Sequence, residues 1–434
     1  MTYRRMIYSA MLFAMVLMGS RAAGQGEVQF DVWFEDGTLR MDYYRMGNSH
    51  WQRTEPVRFA RKATGWSGSR TVLLDPIDNG DYRVVVEDSV SGLPLYSRCY
   101  SSLFGEYVAT AQGRDSVARF EEVVLLPYPR RAVYVCLQRR DADGRFFNSS
   151  RTLYSPIGRS LHQGSRVAMR PQLLLGSGEV ASKMDVAIVA EGYGKADSTK
   201  LQHDLQHFAA HVVEREPFAS RRADINVWGV AAMGAESGIS DPCNGVEVAS
   251  ALGSSYCTFG NDRYLMATHL FRLHDLLDST PADHIIIMAN SPTYGGGAIY
   301  NFYAMSAVQT MSGWILPHEL GHSIGGLADE YVDDDLTYSE LYDRTREPLA
   351  PNLTTLVDFA RKWQQMLPPD TPIPTPPQQG LERRETGALG VYEGGGYVAR
   401  GVYRPTTQCM MRNYARFCPV CTKRLHEVID CYAR

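Results

Sequence analysis

His318-Glu319-Leu320-Gly321-His322-Ser323-Ile324-Gly325-Gly326-Leu327-Ala328-Asp329-Glu330-Tyr331 is the stretch around which the chain is organised. Two histidines four residues apart on a helix share one face, so both imidazoles reach a single metal ion. Glu319, beside the first histidine, is placed to take a proton from a water activated by that ion. The apolar run Trp314-Ile315-Leu316 would seat the helix in a core, and Pro317 suits a helix start. A catalytic zinc keeps three protein ligands and an open position. Asp329 is the expected third ligand, with Glu330 as the alternative. Gly325-Gly326 can end the helix and turn the chain back towards the ion.

The surroundings predict two domains after a leader. Residues 1–24 read as a signal peptide: Arg4 and Arg5, an apolar stretch from Met6 to Met18, then small residues up to Ala23 and Gly24. The apolar stretch is too short for a comfortable membrane span. Residues 25–165 read as an all-β sandwich. Val28–Phe34, Tyr82–Val86 and Ala132–Cys136 alternate in polarity, and Asp36-Gly37, Asn79-Gly80-Asp81 and Asp143-Gly144 mark turns. Residues 166–434 read as a mixed α/β catalytic domain. Val186–Ala190 is a continuous apolar run, as in a strand buried on both faces. Helical spacing over 197–214, a strand at Ile225–Val230, a helix over 262–278 and a strand at Ile285–Met288 follow it. Gly297–Tyr303 reads as an edge strand able to pair with an extended peptide. Pro368–Pro377 is too proline-rich for helix or central strand and reads as an exposed loop.

Composition narrows the function. The 434 residues carry 44 Lys+Arg against 48 Asp+Glu, a formal charge of −4, which offers no electrostatic footprint for nucleic acid. Eight cysteines in an exported chain suggest disulfides. Cys99 with Cys136 and Cys243 with Cys257 are the expected pairs. Cys409, Cys418, Cys421 and Cys431 are expected to fasten the C-terminal tail as disulfides. A structural zinc held by those four is the competing reading.

Metzincin peptidases are similar in layout: His-Glu-x-x-His, then a glycine, then a third ligand. Their third ligand falls where this chain has Ala328, so Gly326 and Asp329 are both displaced by one residue. Metzincins also place a methionine beneath the zinc, a role open here to Met410 or Met411, and Tyr414 is a candidate to approach the ion. The resemblance to bacterial IgA-peptidase-type zinc metallopeptidases is closer. It is carried by HELGHSIGGLADEY, MDVAIVAEGYG, INVWGV, YGGGAIYN, CMMRNYARFCPVC and TLRMDYYRMGN, which together span nearly all of the mature chain. It implies an N-terminal β-sandwich followed by a metzincin-like zinc peptidase domain. The expected function is a secreted endopeptidase, in the medium, the periplasm or at the cell surface, acting on protein or glycoprotein. Its one Zn2+ is held by His318, His322 and Asp329, with Glu319 as general base. Two other readings compete: a surface ligand-binding protein with a vestigial zinc site, and a zinc hydrolase of a non-peptide amide. A vestigial site need not keep its general base, so Glu319 argues against the first.

Overall fold

A computed structural model describes residues 28–157, 162–163, 169–333, 342–377 and 385–433. The expected signal peptide lies outside the described residues. The described residues open with a one-turn helix, α1 (Phe30–Trp33), followed by strands β1 (Phe34–Gly47), β2 (Gln52–Arg61), β3 (Tyr82–Asp88) and β4 (Pro94–Tyr100). Short helices α2 (Leu103–Tyr107) and α3 (Ala111–Asp115) come next, then β5 (Ala118–Pro129), β6 (Val133–Arg140), β7 (Phe146–Tyr154) and β8 (His162–Gln163). These strands form two four-stranded sheets, ordered β5-β1-β2-β8 and β4-β3-β6-β7. Leu39, Met41 and Leu126 of one sheet and Val84, Val135 and Leu137 of the other share one apolar core.

The expectation of a strand over Val28–Phe34 is corrected: the first residues turn once as helix before β1 begins. Asp36-Gly37 does not reverse the chain. It lies within β1, where the pairing with β5 shifts register between Glu35 and Thr38, as at a β-bulge. Cys99 and Cys136 are unbonded. Their strands β4 and β6 flank β3 on opposite sides, so a whole strand separates them.

The second half holds β9 (Gln172–Leu175), β10 (Met184–Tyr193), α4 (Ser198–Val213), β11 (Ile225–Met233), α5 (Leu270–Leu276), β12 (His284–Ala289), β13 (Gly296–Ile299), β14 (Tyr303–Ala307) and α6 (Ser312–Gly325). It ends with β15 (Tyr392–Gly395), β16 (Val398–Arg404), α7 (Met410–Asn413) and α8 (Pro419–Tyr432). A six-stranded sheet runs β13-β14-β12-β10-β11-β9. Its four central strands are parallel and its edge strands, β9 and β13, antiparallel. All ten residues of β10 are buried because both faces are covered. Val186 and Ile188 enter the core made with α4, α6 and α8, and Ala187 and Val189 the one made with α5. The helix expected over 262–278 is only seven residues long. Tyr264 and Leu265 are held instead by bonds to Asn261 and Gly296, and their burial produced the apolar spacing. Pro368–Pro377 contains no helix or strand.

The two halves are joined by polar contacts. Asp275 on α5 meets Arg40 and Arg58, which both hold the fully buried Asp42. Asn79 donates to the carbonyl of Gly326, the residue that ends α6 with φ +58°. A Cβ there would lie 1.9 Å from the Asn79 amide nitrogen. Gly326→Ala therefore combines a left-handed backbone with a collision and is expected to cost about 2–3 kcal/mol in urea unfolding. Adding Asn79→Ala removes the collision, so the double variant should lose less than the sum of the two single changes.

Candidate active site

Helix α6 carries the histidine pair through the middle of the fold, buried along most of its length. Pro317 is its sixth residue, not its start as expected. Proline has no N–H to give to the carbonyl four residues back, Gly313. Arg215 supplies the missing bond, its Nε donating to the Gly313 oxygen at 2.7 Å. The floor of the helix is equally fitted: a Cβ on Gly321 would come within 2.5 Å of the Met411 sulfur. Met411 thus packs directly under the turn between the histidines, while Met410 contributes through its backbone.

His318 Nδ1 lies 3.0 Å from the Met410 carbonyl and His322 Nδ1 2.7 Å from the Leu327 carbonyl. A carbonyl only accepts, so both rings carry a proton on Nδ1 and turn Nε2 inward. The two Nε2 atoms stand 3.1 Å apart, and Asp329 Oδ1 sits 3.1 Å from His318 Nε2 and 3.4 Å from His322 Nε2. Asp329 is the carboxylate that completes this trio. Glu330 leaves the chain on the other side, towards cysteines 409 and 421. Asn352 enforces the split. Its amide pairs with both the N–H and the C=O of Ala328 and also donates to Glu330 Oε1.

Three electron-pair donors converging in a buried place require positive charge between them. Burial disfavours a charge on His322, yet Asp329 outweighs it and pushes its pKa up to about 9. Asp329 is likewise opposed by burial but held well below the usual carboxylate range, first by His322. One proton satisfies two of the three atoms; a divalent cation satisfies all three. Tetrahedral zinc with nitrogen and oxygen ligands at about 2.1 Å sets ligand atoms about 3.4 Å apart, close to the distances found. Asp329 Oδ1 is buried with no hydrogen-bond donor of its own. The residues therefore fit a metal ion.

Glu319 is buried on the same helix, its pKa raised by burial above all. Edge strand β13 passes so close that a Cβ on Gly296 would lie 2.7 Å from Glu319 Oε1. Tyr414, with φ +57°, stacks its ring edge-on to His318 at 5.5 Å, and its hydroxyl bonds that of Tyr294. Beside His322 opens a cavity of about 470 Å³, whose walls include Asn79, Asp81 and Glu106 from the first half of the chain. Glu106 is pushed up to about 7, chiefly by burial, against the bond from the Tyr264 hydroxyl.

Sequence reasoning missed Tyr397. It lies in the turn between β15 and β16, also at positive φ, and donates its hydroxyl to Asp329 Oδ2. No local pattern marks it; only the run Gly394-Gly395-Gly396 hints at a tight turn there. Partners of this kind orient a ligand and typically carry about 10- to 100-fold in metal affinity. Tyr397→Phe should weaken metal retention by that factor in chelator competition, with the fold unchanged by circular dichroism.

The family model described as IgA Peptidase M64 matches residues 173–388 and 381–429, and the one described as Peptidase M64 N-terminus matches residues 29–150. Comparison with curated proteins returns no match. The first match takes in the helix, Asp329, Tyr397 and the methionine turn, and the second most of the first two sheets. The chain belongs to the IgA peptidase M64 family, a family of peptidases.

Proposed function

We propose that the protein is an exported zinc endopeptidase that hydrolyses protein or glycoprotein chains, built from a β-sandwich and a metzincin-like catalytic domain. The observation that carries this reading is the trio His318 Nε2, His322 Nε2 and Asp329 Oδ1, with Glu319 beside it. Two imidazoles and one carboxylate are the ligand types zinc prefers, and three of them leave a position open for chemistry. When bound, zinc lowers the pKa of water towards neutrality and polarises a carbonyl.

The chain's own residues supply the rest. Glu319 accepts the proton of the attacking water on its carboxylate and hands it to the departing amine. Its burial, which raises its pKa, suits both halves of that shuttle. Tyr414 and Tyr294 place hydroxyls at the rim of the site, next to His318. Edge strand β13 is held against Glu319 by Gly296, whose outer backbone edge is bridged to Tyr264, so an extended peptide would join the strand beyond that residue. Asn79, Asp81 and Glu106 make the first half of the chain part of the cavity wall, which gives it a part in substrate selection. Among the described residues no helix is long and apolar enough to cross a membrane. Export rests on the leader-like residues 1–24 and agrees with the bonded pair Cys243–Cys257.

Glu319→Gln should keep its metal by elemental analysis while kcat on a peptide library falls about 100- to 10,000-fold. Retention of most turnover would overturn the assigned role. A zinc chelator should abolish cleavage by the native chain, and added zinc should restore it. Cleavage that survives full removal of metal would refute the zinc mechanism.

A further inference from the structure

Behind the histidine trio lies a second cluster with the chemistry of a metal site. Glu330, Cys409, Cys418 and Cys421 are all fully buried, and one ligand atom from each falls within 4.8 Å of the others. The sequence joins four cysteines in this tail, but the structure takes only three. Cys431 points away and donates to the Glu427 carbonyl, and Glu330 stands in the fourth place.

The distances discriminate between a disulfide and an ion. Cys409 Sγ and Cys421 Sγ are 3.8 Å apart, and Cys421 Sγ is 3.4 Å from Glu330 Oε1. A disulfide brings sulfurs to about 2.05 Å. Tetrahedral zinc with sulfur at about 2.3 Å and oxygen at about 2.1 Å sets two sulfurs about 3.8 Å apart and a sulfur and an oxygen about 3.6 Å apart. Three cysteines also cannot pair off, so any single disulfide strands one buried thiol. Glu330 makes the same point independently. Asn352 donates to its Oε1, but Oε2 is buried with no hydrogen-bond partner. A buried carboxylate oxygen left bare is costly unless a cation meets it.

We propose that Glu330, Cys409, Cys418 and Cys421 form a second, structural site for a thiophilic divalent cation such as zinc. Binding releases the thiol protons and leaves three thiolates and a carboxylate around the ion. Arg404, itself buried, acts on Glu330 electrostatically and offsets part of the excess negative charge. Cys418 caps the fourteen-residue helix α8, whose first backbone N–H groups face it, and Cys421 lies in the first turn of the same helix. The site has no open position, as expected of a structural one. Its role follows from its neighbours in the chain. Cys409 precedes Met410, whose carbonyl orients His318, and Glu330 follows Asp329. The Glu330 N–H in turn donates to the Met411 carbonyl at 2.7 Å. The second ion therefore clamps the C-terminal helix against both backbone segments that shape the first site.

Cobalt(II) added to the metal-stripped full chain tests this directly. Thiolate ligands give an intense sulfur-to-cobalt charge-transfer absorption in the near ultraviolet that a histidine–carboxylate site cannot produce. The band should appear in the native chain, persist in His318→Ala/His322→Ala and vanish in Cys418→Ser/Cys421→Ser. Elemental analysis should find two ions per native chain and one in each double variant, so the two sites succeed or fail separately. Absence of the band from the native chain overturns the proposal whatever the variants do. So does a non-reduced peptide map that links any two of Cys409, Cys418 and Cys421.

Discussion

The molecule is arranged around a repulsion. Three acceptor atoms, two imidazole nitrogens and a carboxylate oxygen, point at one another across little more than 3 Å in a place that excludes most water. No apolar core assembles such a trio unaided. It persists because each member is fixed from behind. The carbonyls of Met410 and Leu327 hold the protons on the outer nitrogens of the rings, and Tyr397 holds the outer oxygen of Asp329. Those partners come from the C-terminal turn, from the exit of α6 and from the β15–β16 turn. A charge constraint at one point thus dictates how distant parts of the last 120 residues pack.

The helix that carries the histidines meets its own constraint, which is closeness. It is covered by β13, β14, α4, α7 and α8, and the contacts leave no room for side chains at particular points. Gly321 admits Met411, Gly296 admits the Glu319 carboxylate, and Gly326 admits Asn79 while adopting a backbone that most residues avoid. Pro317 removes one helical hydrogen bond in the same element, and an arginine from beyond the end of α4 replaces it. Glycine and proline normally weaken a helix. Here packing and one long-range bond compensate, because burial rather than intrinsic propensity decides where α6 forms.

What the sequence reveals follows from how local each signal is. The histidine pair is legible because four residues on a helix is a fixed geometry, and Glu319 comes with it. The buried strands β10 and β12 are legible because continuous apolar runs have few other uses. The misreadings share a cause. Pro317 resembles a first helical residue only to a reader who cannot see Arg215. Tyr264 and Leu265 have helical spacing, but bonds to Gly296 and Asn261 hold them in an irregular segment. Pairing Cys99 with Cys136 follows nearness in the chain, whereas sheet order puts β3 between them. Tyr397, Asn352 and the two orienting carbonyls carry no local signature, because their roles exist only once distant segments have met.

Asp329 and Glu330 show how a choice open in sequence is closed by a third residue. Both are acidic, adjacent and one turn beyond the histidines, and spacing alone cannot rank them. The turn leaves α6 with Gly326 bonded back to His322 and Leu327 back to Gly321, which fixes where residue 328 must lie. Asn352 then grips Ala328 by both its N–H and its C=O, as a neighbouring strand would, and places its remaining amide hydrogen on Glu330. With the chain held on either side of Asp329, that side chain can face only the imidazoles, and its neighbour must face away. The one-residue displacement from the metzincin spacing is thus absorbed within the turn, and the histidines keep a carboxylate. The same two-residue stretch delivers a second carboxylate to the cysteines behind them. Two adjacent acidic residues with opposite directions thus place the histidine trio and the cysteine cluster a single peptide bond apart.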